Sequence, residues 1–139
     1  MKDGKEEEKK EFKKREDAIS YEIIGAAIEV HRTLGGPGLL ESLYEEALTW
    51  ELNERGLLVE RQVKVPVAYK GHILANPLRI DLLVEKLVIV ENKATLNYTP
   101  LFEAQTLTYL RLMNLKLGLV INFGEEYVKN GIHRVVNNL

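Results

Sequence analysis

The chain has no cysteine in 139 residues. That excludes disulfides, thiol nucleophiles and thiolate metal sites, and it fits a reducing compartment, so the expected location is the cytoplasm. No apolar run approaches the roughly 20 residues that a membrane-spanning helix needs, and the first residues are charged where a signal peptide would be apolar. No membrane partner is expected. An excess of basic charge is missing too: 19 Lys and Arg stand against 21 Asp and Glu, a formal net charge of −2. This argues against a protein that holds nucleic acid through a large basic face. It leaves room for a nucleic-acid enzyme, because divalent cations on a carboxylate cluster make it locally electropositive.

What is present is a 45% hydrophobic composition, enough for one core. Residues 1–16, MKDGKEEEKKEFKKRE, mix acids and bases with only Met1 and Phe12 as sizeable apolar groups. They cannot bury a core and read as a disordered tail or a solvated helical extension. Residues 17–139 read as a single domain.

The periodicity predicts a helix from Asp17, with Ile24, Ala27, Ile28 and His31 on one face and Asp17 or Ser20 as its cap. Gly35 to Gly38 then break the chain. A second helix carries Leu40, Leu43, Tyr44, Ala47 and Leu48 as a stripe that runs to Leu52, and Arg55-Gly56 ends it. Val59, Val63, Val65 and Val67 share one parity, as in a half-buried strand. A second strand is predicted from about His72 to Val84, irregular at Asn76-Pro77, and a third from Leu87 to Ala94. Thr99-Pro100 opens a helix that runs to about Met113. Leu117 to Phe123 reads as a strand buried on both faces, and Ile132 to Val136 as a last one. The order is α-α-β-β-β-α-β-β, a mixed α/β (α+β) sheet with helices on its faces.

Residues 79–93, RIDLLVEKLVIVENK, stand out because Asp81, Glu91 and Lys93 interrupt hydrophobic strands. Such charges are costly to desolvate unless paired or bound to a cation, which points to a site. The hairpin register tests the idea. Arg79, Asp81 and Leu83 share one face of their strand, and Ile89, Glu91 and Lys93 share one face of theirs. A two-residue turn at Glu85-Lys86 would pair Asp81 with Val90 and put the two acids on opposite faces. A three-residue connection, or a bulge, pairs Asp81 with Glu91. The second arrangement is the expected one. Asp81 and Glu91 are hard oxygen ligands, and a main-chain carbonyl such as that of Asn92 completes a shell of the kind magnesium takes. Lys93 is placed to stabilise charge developing on a phosphoryl group or to orient the nucleophile, and phosphodiester hydrolysis is the natural reaction.

Asp81 followed by Glu91-Asn92-Lys93 resembles the core motif of the PD-(D/E)XK nuclease superfamily, in which a helix precedes a three-stranded meander, then a helix and another strand. Gly38-Leu39-Leu40-Glu41-Ser42-Leu43-Tyr44 matches the signature of the GxxExxY family, which is similar to that superfamily. Val30-His31-Arg32, Leu34-Gly35, Glu103-Ala104-Gln105 with Tyr109, KLGLVINFG from Lys116 and His133 to Asn137 also resemble family segments. The likeness covers about Tyr21 to Asn137. It implies a restriction-endonuclease-like core in which Asp81 and Glu91 bind Mg2+ or Mn2+ and Lys93 is catalytic. Glu41 would sit where an additional carboxylate is often placed near the metal, and Gln105 would match the glutamine of the following helix. The polar Asn92 departs from the apolar residue expected there but keeps the liganding carbonyl.

Plainer readings stand beside these. Glu41 suits the helix dipole, and Asp81, Glu91 and Lys93 could form a cross-strand ion pair with Arg79. Gln105 could satisfy buried backbone groups, His31 reads as a packed or helix-terminal histidine, and Tyr44 and Tyr109 as core aromatics with tethered hydroxyls. Gly35 to Gly38 lacks the lysine and hydroxyl of a P-loop and reads as a turn. The expected function is a divalent-metal-dependent nuclease acting on DNA; the alternative is a non-catalytic nucleic-acid- or protein-binding module on the same fold. Duplex cleavage by so small a domain would favour a homodimer with paired sites.

Overall fold

The computed structural model describes residues 11–139. Of the expected tail, residues 1–10 lie outside the described residues, while Arg15 and Glu16 already belong to the first helix, α1 (Arg15–Leu34). Neither Asp17 nor Ser20 caps it. The N-cap position is Lys14, with extended backbone and no side-chain cap, and Asp17 instead accepts a hydrogen bond from Arg134 at 2.5 Å. The buried stripe runs through Ile19, Ile23, Ala26, Ala27, Val30 and His31. Ile28, expected to point inward, lies one helical step of about 100° beyond Ala27 and is 41% exposed. His31 is a packed histidine whose ring nitrogen Nε2 lies 2.9 Å from the carbonyl oxygen of Glu125.

α1 ends where Gly35 adopts φ +96°, and α2 (Glu41–Glu54) follows. α2 buries Tyr44, Glu45, Leu48 and Leu52, whereas Leu40 and Leu43, read as part of its stripe, are exposed. The Tyr44 hydroxyl donates to the Gly36 carbonyl at 2.7 Å and accepts from the Leu39 N–H at 3.1 Å, and its ring stacks on Phe123. The inter-helix turn is thereby tied to the core. Gly35, Gly36 and Gly38 all have positive φ, as a tight turn requires.

After α2 comes β1 (Val59–Val65). The long strand expected from His72 to Val84 is broken: β2 (Ala68–Tyr69) and β3 (His72–Ile73) form a separate two-stranded ribbon, and β4 (Leu78–Val84) starts only after Asn76-Pro77. Proline has no N–H for a ladder, so the break falls beside it. β5 (Val88–Lys93), α3 (Leu101–Met113), β6 (Leu117–Asn122) and β7 (Ile132–Val136) complete the fold. The main sheet has the order β1-β4-β5-β6-β7, antiparallel except for β5 beside β6, which α3 connects. Every residue of β6 is buried, as expected for an inner strand covered on both faces. α1 and α2 cover one face over Leu82, Val84, Val88 and Val90, and α3 covers the other over Ile89 and Val120.

One departure from regular alternation bears on the site. Val59 packs under α1 and α2, but Val63 and Val65 pack under α3, so the valines of β1 do not share a face. Gln62, between them, has φ +51°, which turns the strand over. β4 turns with it: Leu82 faces α1 and α2, while Ile80, two residues back, faces α3. The expectation that Arg79, Asp81 and Leu83 share one face fails for the same reason, with the reversal centred on Asp81 and its neighbour Gln62.

Candidate active site

Val84 pairs with Val88, and Glu85 to Leu87 form a three-residue connection in which the Leu87 N–H donates to the Val84 carbonyl at 3.0 Å. Glu85 and Lys86 both have positive φ, the twist sense that suits a hairpin. Leu82 pairs with Val90, so Asp81 and Glu91 fall opposite each other, as the three-residue connection requires. Beyond Leu82 and Val90 the main-chain pairing of β4 with β5 stops, and side chains take over. The Asn92 N–H donates to Asp81 Oδ2 at 2.8 Å, and the Asp81 N–H donates to Glu91 Oε1 at 3.3 Å. These crossed bonds hold both carboxylates at one spot between the strands.

Other elements close around them. α2 brings Glu41 and Glu45, β5 brings Lys93 and α3 brings Tyr109, as their mutual electrostatic effects show. Burial pushes the Glu91 carboxyl up to about 8, and the charges of Asp81 and then Glu41 add to the rise against the Asp81 N–H and Lys93. Burial also raises Asp81, with Glu45 adding to it; the Asn92 N–H, Lys93 and the Gln62 amide act the other way. Glu41 is raised by partial burial and by the Asp81 charge, and Tyr109 by burial and then by Glu91 and Asp81. All four groups lean toward their protonated forms, first because burial disfavours the charged form and then because negative charges meet in one place.

Lys93 does not close an ion pair with either acid; its ammonium lies 4.5 Å from the centre of the Phe102 ring. Among the described residues neither Asp81 nor Glu91 has a salt bridge, so the cross-strand ion pair with Arg79 is not the arrangement found. Gln105 is exposed on α3, one turn before Tyr109. Asn92 is fully buried with its side chain on the other side of β5, and both polar atoms of its amide lack a hydrogen-bond partner. Its main-chain N–H points at Asp81, and in a strand the carbonyl of a residue points the same way as its N–H, toward β4.

Two neighbours of Asp81 were not singled out from the sequence. Glu45 is 6% exposed and held by Arg61 at 3.2 Å and by the Gln62 amide at 2.9 Å. Gln62 stands directly across β1 from Asp81. An acid on a helix and a glutamine in a strand carry no signal of this clamp; only the reversed backbone at Gln62 creates it.

The donor set suits a hard divalent cation: the buried Glu91 and half-buried Asp81 carboxylates with raised proton affinity, a third acid at the rim, and, among the described residues, no cation bonded to the pair. Among the described residues no three His, Cys, Asp or Glu side chains form a closed cage, which a magnesium ion that keeps several waters does not need. A groove of about 540 Å³ lies between α1 and α2 beside Leu43 and Trp50 and contains none of these groups. Among the described residues no helix is long and apolar enough to cross a membrane. A family model described as the PD-(D/E)XK nuclease superfamily matches residues 17–135. No curated protein and no solved structure matches the chain. The five-stranded mixed sheet with its three helices is consistent with the restriction-endonuclease-like fold, and with the matched span covering most of its length the chain belongs to the PD-(D/E)XK nuclease superfamily.

Proposed function

We propose that the protein is a divalent-metal-dependent nuclease that hydrolyses phosphodiester bonds in DNA and that it is of the GxxExxY type. The observation that carries the proposal is the crossed pair of Asp81 and Glu91, held face to face by main-chain N–H groups with no cation of the described residues bonded to them. Asp81 and Glu91 would hold Mg2+ or Mn2+, with the Asn92 carbonyl and Glu41 as further oxygen donors. The ion would supply a Lewis acid for the phosphoryl oxygen and a more acidic water.

The residues of the chain have distinct tasks. Lys93 brings positive charge to the end of β5, where a phosphate lying over the two acids would develop negative charge. Its contact with Phe102 holds the ammonium near the acids without neutralising them. Gln105 and Tyr109 present polar groups from one face of α3, to support the phosphate or the attacking water. Gln62 would fix Asp81 from the side of β1, and Glu45 on α2 holds the Gln62 amide in place.

The test is incubation with linear, single-stranded and branched DNA in Mg2+ or Mn2+, beside Asp81→Ala and Lys93→Ala. Wild type is expected to cut, Asp81→Ala to be inactive and Lys93→Ala to lose about 10²–10³-fold in rate. If all three proteins bind DNA equally and none cuts, the non-catalytic binding module is the correct reading. Activity that survives loss of Asp81 would remove the metal assignment.

A further inference from the structure

Lys64 and Arg79 are direct cross-strand partners on β1 and β4, and both are exposed. Like charges so placed destabilise a sheet. Several cations elsewhere on the surface have a carboxylate: Arg61 has Glu45, Lys86 has Glu60, Arg55 has Glu51 and Arg134 has Asp17. Among the described residues, Lys64 and Arg79 have none. The pair is the second step past the Gln62–Asp81 row, about 7 Å along the strands from it. The strand reversal at Gln62 sets its direction, because it turns Val63 and Ile80 under α3 and leaves Lys64 and Arg79 on the opposite, open face.

Beyond this pair the same two strands run into the β2–β3 ribbon. Its exposed side chains include Tyr69 at 59% and Ile73 at 70%, with the Lys70 ammonium 5.4 Å from the centre of the Tyr69 ring. Two unpaired cations followed by an exposed aromatic and an aliphatic side chain match what a nucleic-acid strand offers, a phosphate and then the flat faces of bases. The acids alone would repel such a strand.

We propose that Lys64, Arg79 and the β2–β3 ribbon form the track along which a nucleic-acid strand reaches the active site. Lys64 and Arg79 hold a phosphate next to the one at Asp81 and Glu91, and Tyr69 stacks on a base. The proposal rests on the nuclease reading for the identity of its ligand, and its test needs no turnover.

Binding of fluorescein-labelled single-stranded DNA, duplex DNA and single-stranded RNA to wild type, Lys64→Ala/Arg79→Ala and Tyr69→Ala is measured in EDTA over a range of salt. All substituted positions are exposed, and circular dichroism checks the fold. The double variant is expected to bind more weakly whatever the base sequence. Its slope of log K against log salt should be smaller by about 1.4 for single strands and about 1.8 for duplex, the loss of two phosphate contacts. Tyr69→Ala is expected to weaken single-strand binding without changing that slope. Unchanged affinity and slope in the double variant would overturn the track, as would a wild type that binds polyglutamate and no nucleic acid. Failure of the nuclease reading shows separately, as a wild type that binds DNA but does not cut it in Mn2+.

Discussion

Asn92 is the side chain whose surroundings suit it least. Its amide is wholly buried, and neither polar atom has a partner, which costs about 1–3 kcal/mol relative to a side chain with no such needs. Asn92→Leu, which keeps the same branched heavy-atom skeleton, is therefore expected to raise stability by about 1–3 kcal/mol, read as a higher urea midpoint at unchanged slope. A lower midpoint would mean that the amide is already satisfied. Glu91 makes a prediction of the opposite kind. Its carboxyl is raised from 4.5 to about 8. Below the unfolded value both states hold the proton and nothing is lost. Between the two values the unfolded chain releases a proton that the folded one keeps, so stability falls as pH rises and the loss is complete above about 8. In EDTA the urea midpoint should decline across that window, and Glu91→Gln should flatten the decline.

Secondary structure and its connections were readable to different depths. The largely apolar run Leu117 to Phe123, the Thr99-Pro100 start of α3 and the acids of the β4–β5 hairpin each have a local physical cause, and each could be read without coordinates. The pairing of Asp81 with Glu91 followed from counting residues across one turn. The reversal at Gln62 did not, because V-E-R-Q-V-K-V has the alternation of an ordinary strand and a positive φ leaves no mark in the sequence. The faces of α1 and α2 were misjudged at Ile28, Leu40 and Leu43 because several apolar residues surround each helix and only packing selects among them. At the junction of α1 and α2, Tyr44→Phe should cost about 0.5–1.5 kcal/mol, since it removes the two part-buried hydrogen bonds that the hydroxyl makes to the Leu39 N–H and the Gly36 carbonyl. At the end of β6, Asn122 bonds both the N–H and the carbonyl of Thr95, and a Cβ on Gly124 would collide with the same Thr95 main chain. Gly124→Ala is expected to lower the thermal midpoint by several degrees through displacement of the loop that leads from β5 to α3.

Taken together, the fold gathers acids around Asp81 and Glu91 whose charge a bound cation would neutralise, so metal and folding stability should be linked. Adding Mn2+ at about 100 times its dissociation constant should stabilise the protein by about 2.7 kcal/mol, EDTA should reverse the gain, and Asp81→Ala should abolish it. Because protonated Glu91 cannot serve as a ligand, the gain should grow as pH rises toward 8 and be accompanied by proton release. The crossed hydrogen bonds between β4 and β5 add a consequence for observation. The amide protons of Asp81 and Asn92 rest on carboxylate oxygens rather than on carbonyls. Their nuclear magnetic resonance frequencies therefore register every change of charge on those oxygens, and two backbone signals can report when the centre is filled, emptied or protonated.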